Sequence, residues 1–415
     1  MAWCASLAGV GVLSSAVKFD AASFEHILSR RTKTALVFDQ TALAERTMVN
    51  RARILTALAK EVDAQLHPGA EFAAAASLRE AFDWRRDDVR VACKTAQIQW
   101  NTAKRFWQGD SNAYGARWGL RFRRVQLARS VAERRFDELL LAAYTPRGVY
   151  IYRHDQESGV STAGKETSAT GHDIVYTGPR NEGSWEAVLD GTLLPRLDAE
   201  DSGCERLAFV SFDDERMARV IAAHPPSITE RTYEGVALSD CSGAARGNLL
   251  TAIAREVDQR LHPAAAVEDP LPGIRMDGKL RGAHQAVYSW RRDDTRIACK
   301  GAQLKWDRSS RCWEARFSNV KLGYAGSRPA SGEVLARPRE FDELLLALYT
   351  PRAIYVYKHD LLLGVTRAGK RTASSGHHIK LRGPLGEEEW SSALDGTLLP
   401  MLDESGCEPV AVIEW

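Results

Sequence analysis

Three patterns of residues in this chain could do chemistry, and each occurs twice. The first is a charged stretch, Trp84-Arg85-Arg86-Asp87-Asp88-Val89-Arg90-Val91-Ala92-Cys93-Lys94, with Gln97 and Trp100 beyond it. It returns as Trp290-Arg291-Arg292-Asp293-Asp294-Thr295-Arg296-Ile297-Ala298-Cys299-Lys300, with Gln303 and Trp306. It reads as a strand, a turn built on Asp, and a second strand carrying an inward lysine. The structural alternative is a sheet-edge hairpin in which Ala and Cys pack and the lysine stem lies along apolar surface. The second pattern is basic sequence interleaved with aromatics. Lys104, Arg105, Trp107, Arg121, Arg123 and Arg124 follow the first hairpin, and Arg311, Trp313 and Arg316 follow the second. Together with Arg85, Arg86, Arg291 and Arg292 they could neutralise phosphates and stack on bases. The plain alternative is a solvated strand face. The third pattern is Gly164-Lys165 with Gly171-His172, and Gly369-Lys370 with Gly376-His377. These are cationic loops whose backbone N–H groups could cradle a phosphate. They lack the upstream spacing of a P-loop. His154-Asp155 and His359-Asp360 could do acid–base work, or simply end a strand.

Each copy carries the elements that must position these residues. Arg53 to Leu66 has helical apolar spacing, closed by His67-Pro68-Gly69. Val89-Arg90-Val91 and Ile98-Gln99-Trp100 alternate as strands do. Leu139-Leu140-Leu141 suits a buried central strand, and Val149 to Tyr152 a further one. A helix near Trp185 or Trp390 leads to a closing apolar strand, Leu207 to Val210 or Val410 to Ile413. A short helix is expected over Ala21 to Leu28. Helices layered on a mixed sheet make an α/β arrangement.

The repeat spans almost the whole chain. Leu55 to Asp63 recurs as Leu250 to Asp258, Phe136 to Ala142 as Phe341 to Ala347, and Val17-Lys18-Phe19-Asp20 resembles Val210-Ser211-Phe212-Asp213. The expected organisation is an N-terminal extension, 1–16, and two tandem domains, 17–210 and 211–415. Each is long enough for its own core. The net charge of +2 confines any basic surface to local patches. Seven cysteines, an odd number without a CxxC pair, point to a reducing compartment and hence an intracellular protein. No apolar run reaches the roughly 18–20 residues of a membrane span, so no membrane partner is expected. Met1 to Val17 is apolar but has no basic n-region, which argues against a secretory signal.

A helix carrying Glu61, then Asp83 before one strand and Lys94 on the next, resembles the PD-(D/E)xK nuclease superfamily and its restriction-endonuclease-like fold. The resemblance covers about Arg53 to Gly109 in the first copy and recurs in the second. It implies two restriction-endonuclease-like domains acting on DNA or RNA. It further implies a Mg²⁺ site using Asp83 and Glu61, with Lys94, and Lys300 in the second copy, as catalytic lysines. Metal-activated water would then attack a phosphodiester. Two departures weaken that chemistry. The position two before the lysine, an acid in the family, is Ala92 and Ala298, and Asp83 is replaced by Ser289 in the second copy. The first copy is therefore the better nuclease. The alternative is a non-enzymatic interaction protein of two degenerate nuclease-like domains, with Trp and Tyr side chains contacting a protein partner.

Overall fold

The computed structural model describes residues 16–30, 32–39, 41–76, 80–101, 116–125, 135–156, 172–270, 288–320, 341–361 and 377–415. It is a mixed α/β structure. In chain order come β1 (Val17–Asp20), α1 (Glu25–Leu28), α2 (Lys33–Phe38) and the long α3 (Met48–Leu66). The first hairpin region follows as β2 (Phe72–Ala74), β3 (Trp84–Arg86), β4 (Val89–Gln97), β5 (Gln99–Asn101) and β6 (Arg117–Val125). Then come β7 (Glu138–Thr145), β8 (Gly148–His154), β9 (His172–Thr177), α4 (Trp185–Val188), α5 (Leu194–Leu197), β10 (Cys204–Ser211) and α6 (Glu215–Ala223). After α7 (Ile228–Thr232) the order repeats from α8 (Gly243–Leu261) through β11 (Val267–Glu268), β12 (Trp290–Arg292), β13 (Thr295–Gln303), β14 (Lys305–Asp307) and β15 (Cys312–Val320). It closes with β16 (Glu343–Tyr349), β17 (Ala353–His359), β18 (His377–Arg382), α9 (Trp390–Ala393), α10 (Leu399–Glu404) and β19 (Cys407–Glu414).

Two compact units result, 31–230 and 1–30 joined with 231–415. In the first, a six-stranded sheet has the order β10-β8-β7-β4-β3-β2, and β5-β6-β9 form a small second sheet. Among the described strands of this unit only β4 and β7 run parallel, Ala92 facing Leu139 and Lys94 facing Leu141. The crossover between them contains β5 and β6, which leave the main sheet. Leu139, Leu140 and Leu141 are fully buried in the central strand β7, as their run of apolar residues requires. Helix α3 covers this sheet with Ile54, Leu55, Leu58 and Val62. It begins at Met48, upstream of the expected Arg53, because Thr47 accepts a hydrogen bond from the Asn50 N–H and caps it.

The boundaries of the compact units differ from those of the repeat. The expected domains 17–210 and 211–415 follow sequence similarity, whereas packing moves both lead-ins. Residues after β10 stay with the first unit. Asp214 caps α6, Arg219 of α6 pairs with Glu61 of α3, and Phe212 packs edge-on against Tyr144 at 5.9 Å. In the second unit the corresponding place, beside the strand β19, is taken by residues far upstream. Val17–Asp20 fills the place: β1 pairs in parallel with β19, Val17 opposite Ala411. Phe24 and Ile27 then enter the core of α8 and β19 beside Ile253, Val257 and Ile413. Arg260 of α8 lies 4.3 Å over the Phe24 ring and donates to the Ser23 carbonyl at 2.7 Å. His26 meets Glu256 at 2.8 Å. Each lead-in thus brings a short helix against the long helix of its unit, α6 against α3 and α1 against α8, the first from downstream of its long helix and the second from upstream.

No helix among the described residues is long and apolar enough to cross a membrane. Replacing Phe24 by Ala should cost about 3–5 kcal/mol. Hydrogen exchange is the measurement: amides of α8 and β19 should lose protection while those of α3 keep theirs.

Candidate nucleic-acid interface and hairpin site

The hairpin β3–β4 is held to α3 by one buried carboxylate. Asp63, 1% exposed, accepts the Trp84 indole N–H at 2.8 Å and a charge-assisted bond from Arg86. Arg86 reaches on to Glu138 at the start of β7, at 2.5 Å. The second unit repeats the set. Asp258 accepts from Trp290 at 2.8 Å and from Arg292, which also reaches Glu343 at 3.1 Å. Arg86 and Arg292 are therefore structural. Their guanidinium groups are consumed inside the protein, which corrects the expectation that they contact nucleic acid. The sequence signal for this network was the shared Glu-Val-Asp at the end of both helices, Glu61-Val62-Asp63 and Glu256-Val257-Asp258. In each triplet the valine and the aspartate both face inward, and the aspartate is the one that accepts from the tryptophan and the arginine.

The residues expected to hold metal separate into two places. The Cys93 thiol is buried close to Thr56 of α3, so β4 turns Cys93 toward the helix and Lys94 toward the other face. Gln97 shares the Cys93 face and accepts from Arg51 of α3 at 2.5 Å. Glu61 lies on α3 and pairs with Arg219. It is thus an inter-helix ion pair and does not join Lys94 in a metal site. Asp83 does lie near Lys94. One of its carboxylate oxygens accepts the Cys93 backbone N–H at 2.7 Å. Burial pushes its carboxyl above the usual range, against the Cys93 N–H and the Lys94 charge, which pull it down. In the second unit Ser289 Oγ takes the same N–H, from Cys299, at 3.0 Å. Position 83 therefore has a hydrogen-bonding duty that needs an acceptor, not an acid. Ala92 and Ala298 are buried against the sheet. Among the described residues no three His, Cys, Asp or Glu side chains gather as metal ligands. A single Asp with one oxygen already engaged does not match the several hard oxygens that a protein-bound Mg²⁺ requires.

Asp83 also borders an open cleft of about 630 Å³. Its wall is the outer stripe of α3: Met48, Val49, Ala52, Arg53, Thr56, Ala57 and Lys60. Trp84, Ala74 and His224 complete it. Met48 and Val49 are 70% and 61% exposed, unusual for apolar side chains on a helix that packs well elsewhere. Sequence reasoning missed this wall because it tracked the buried stripe of the helix; Arg53 and Lys60, seven apart and hence on one face, were the available sign.

The basic residues divide by environment. Arg85 is exposed, with its guanidinium 5.4 Å from the Phe82 ring. Arg121 bonds Asp173 at 2.9 Å, and Arg291 bonds Glu268 at 2.7 Å. Arg123 and Arg124 on β6, and Arg311 and Arg316 at β15, are exposed. Trp313 is fully buried and donates its indole N–H to the Glu388 carbonyl at 3.0 Å, so it corrects the expectation of a stacking surface. Trp84, Trp118 and Trp290 are equally enclosed, which removes them as contacts for a protein partner. His154 is buried and accepts the Gln156 N–H at its own strand exit, at 2.9 Å. Lys104, Arg105, Trp107 and the two Gly-Lys loops lie outside the described residues. No protein-family model, curated protein or solved structure matches the chain.

Two measurements check this geometry. Asp63→Ala or Asp258→Ala strands a buried arginine and should cost about 3–5 kcal/mol in urea unfolding. The Cys93 and Cys299 thiols are pushed up by burial, the latter to about 12. Alkylation mapped by peptide mass spectrometry should leave both unmodified in the native protein at pH 8 and label both in denaturant.

Proposed function

We propose that the protein binds nucleic acid, DNA or RNA, through nuclease-like units that hold the phosphate backbone without cutting it. The observation that carries this reading is the exposed arginine set at the equivalent central strands of the two small sheets, β5-β6-β9 and β14-β15-β18: Arg123 and Arg124 on β6, beside Arg121 with its Asp173 partner, and Arg311 and Arg316 at β15. A net charge of only +2 makes such local placement the means of attracting phosphates. Ala92 and Ala298, with Glu61 committed to Arg219, favour binding over hydrolysis. The restriction-endonuclease-like ancestry remains our reading of the hairpin order and the parallel β4–β7 pair. Any residual cleavage would belong to the first unit, where Asp83 and Lys94 are neighbours. A non-enzymatic protein-binding role draws support from the exposed Met48 and Val49 alone.

The test is incubation with plasmid, single-stranded DNA and single-stranded RNA, with and without Mg²⁺ or Mn²⁺, beside Lys94→Ala. We expect binding that weakens steeply with salt and no metal-dependent cleavage. Salt-insensitive or absent binding would overturn the proposal. Cleavage lost in Lys94→Ala would establish an active nuclease instead.

A further inference from the structure

We propose that the cleft between α3 and Asp83 of the first unit is a pocket for a single unpaired nucleotide, with Arg53 and Lys60 on its phosphates and Asp83 accepting from the amino group of its base. This rests on the nucleic-acid reading above and specifies one place where the strand would be gripped. The volume, about 630 Å³, lies in the range of small-ligand sites and suits one nucleotide, not a duplex. The wall is chemically graded. Met48, Val49, Ala52 and Ala57 offer alkyl surface against which a flat ring can lie. Arg53 and Lys60, on the same helix face, supply positive charge. Asp83 supplies an acceptor whose second oxygen is not the one bonded to the Cys93 N–H.

That grading distinguishes the occupant. An acidic peptide would suit Arg53 and Lys60 but would bring its carboxylate toward Asp83. A purely apolar segment would leave both cations and the Asp83 acceptor desolvated without partners. A nucleotide carries anions at one end and N–H donors at the other, which matches both. Bases with an exocyclic amino group have the donor best placed for one carboxylate oxygen.

The second unit serves as an internal comparison. The residues aligned with the cleft wall are Gly243 and Ala244 for Met48 and Val49, and Gly247 and Asn248 for Ala52 and Arg53. Lys60 becomes Arg255, which bonds Asp269 at 2.5 Å, and Asp83 becomes Ser289. Apolar wall, cation and acceptor are thus altered together, while the buried Asp258 network is kept. The described residues of the second unit therefore do not repeat the pocket.

The test uses the full chain and fluorescence anisotropy with short single strands of dA, dC and dT. Wild type should bind dA and dC more tightly than dT. Asp83→Ser, which retains the acceptor for Cys93 seen at Ser289, should lose that preference, with dA and dC binding falling about tenfold. Asp83→Asn is the second variant should Asp83→Ser unfold, judged by circular dichroism; it replaces one acceptor oxygen by a donor and should likewise weaken dA and dC. Arg53→Asn with Lys60→Ala should weaken all three strands and flatten the log–log salt slope by about 1.4, the value for two single-strand phosphates. Binding without base preference, unchanged in folded Asp83 variants, would overturn the pocket while leaving nucleic-acid binding intact. Absence of binding to any strand at low salt would overturn both.

Discussion

A carboxylate buried at the end of a helix fixes the geometry of each unit. Asp63 and Asp258 lose nearly all contact with water, which is costly for a charge. That cost is offset only because an indole N–H and a guanidinium converge on the two oxygens. The pairing joins three otherwise separate elements: the long helix, the first strand of the hairpin and, through Glu138 or Glu343, the central strand. Removal of any member would leave a buried group uncompensated, so the set behaves as one constraint.

That constraint explains why the charged stretch has kept its order in both copies. Its turn is closed by Asp87 and Asp293, both in the left-handed region at φ 51°, whose side chains accept the N–H of Glu71 and of Ala266. Its next arginine, Arg90 or Arg296, grips Asp137 or Asp342 at the entry to the central strand. Most of the charge in the hairpin is therefore spent on holding the hairpin. Exposed charge not used in this way lies elsewhere: on β6 and at β15, the central strands of the small sheets, and on the exposed face of α3.

Duplication has preserved the frame and let the surface differ. The same Arg-to-Asp pair ties the β7–β8 turn to the helical segment in one unit, Arg147 with Asp190, and the β16–β17 turn in the other, Arg352 with Asp395. The cleft wall, by contrast, changes at five of its seven α3 positions in α8, Thr56 and Ala57 alone being kept as Thr251 and Ala252. The two units also recruit their final helix differently. In the first it follows the last strand directly, and in the second it comes from residues 21–28, over two hundred positions earlier in the chain. A helix can be supplied from either end because what holds it is the apolar seam between helix and sheet, not the peptide connection.

The sequence by itself determined the duplication, the mixed α/β class and the central buried strands, because periodicity and repeated motifs are local properties. Leu139-Leu140-Leu141, the helix ending at Leu66 and the Val149 to Tyr152 strand all lie where their patterns put them. It also placed an alanine, Ala92 or Ala298, two positions before each lysine. The tertiary structure decided which charges are used up. Arg86 and Arg124 look alike in sequence, yet one is buried between Asp63 and Glu138 and the other is exposed on β6. Glu61 and Asp63 are two residues apart, yet the 100° advance per residue sends one to Arg219 and the other into the core. Partners of that kind come from elements distant in the chain, so composition and spacing cannot assign them. The boundary between units was hidden for the same reason: similarity groups residues by ancestry, whereas packing groups them by the surface they bury.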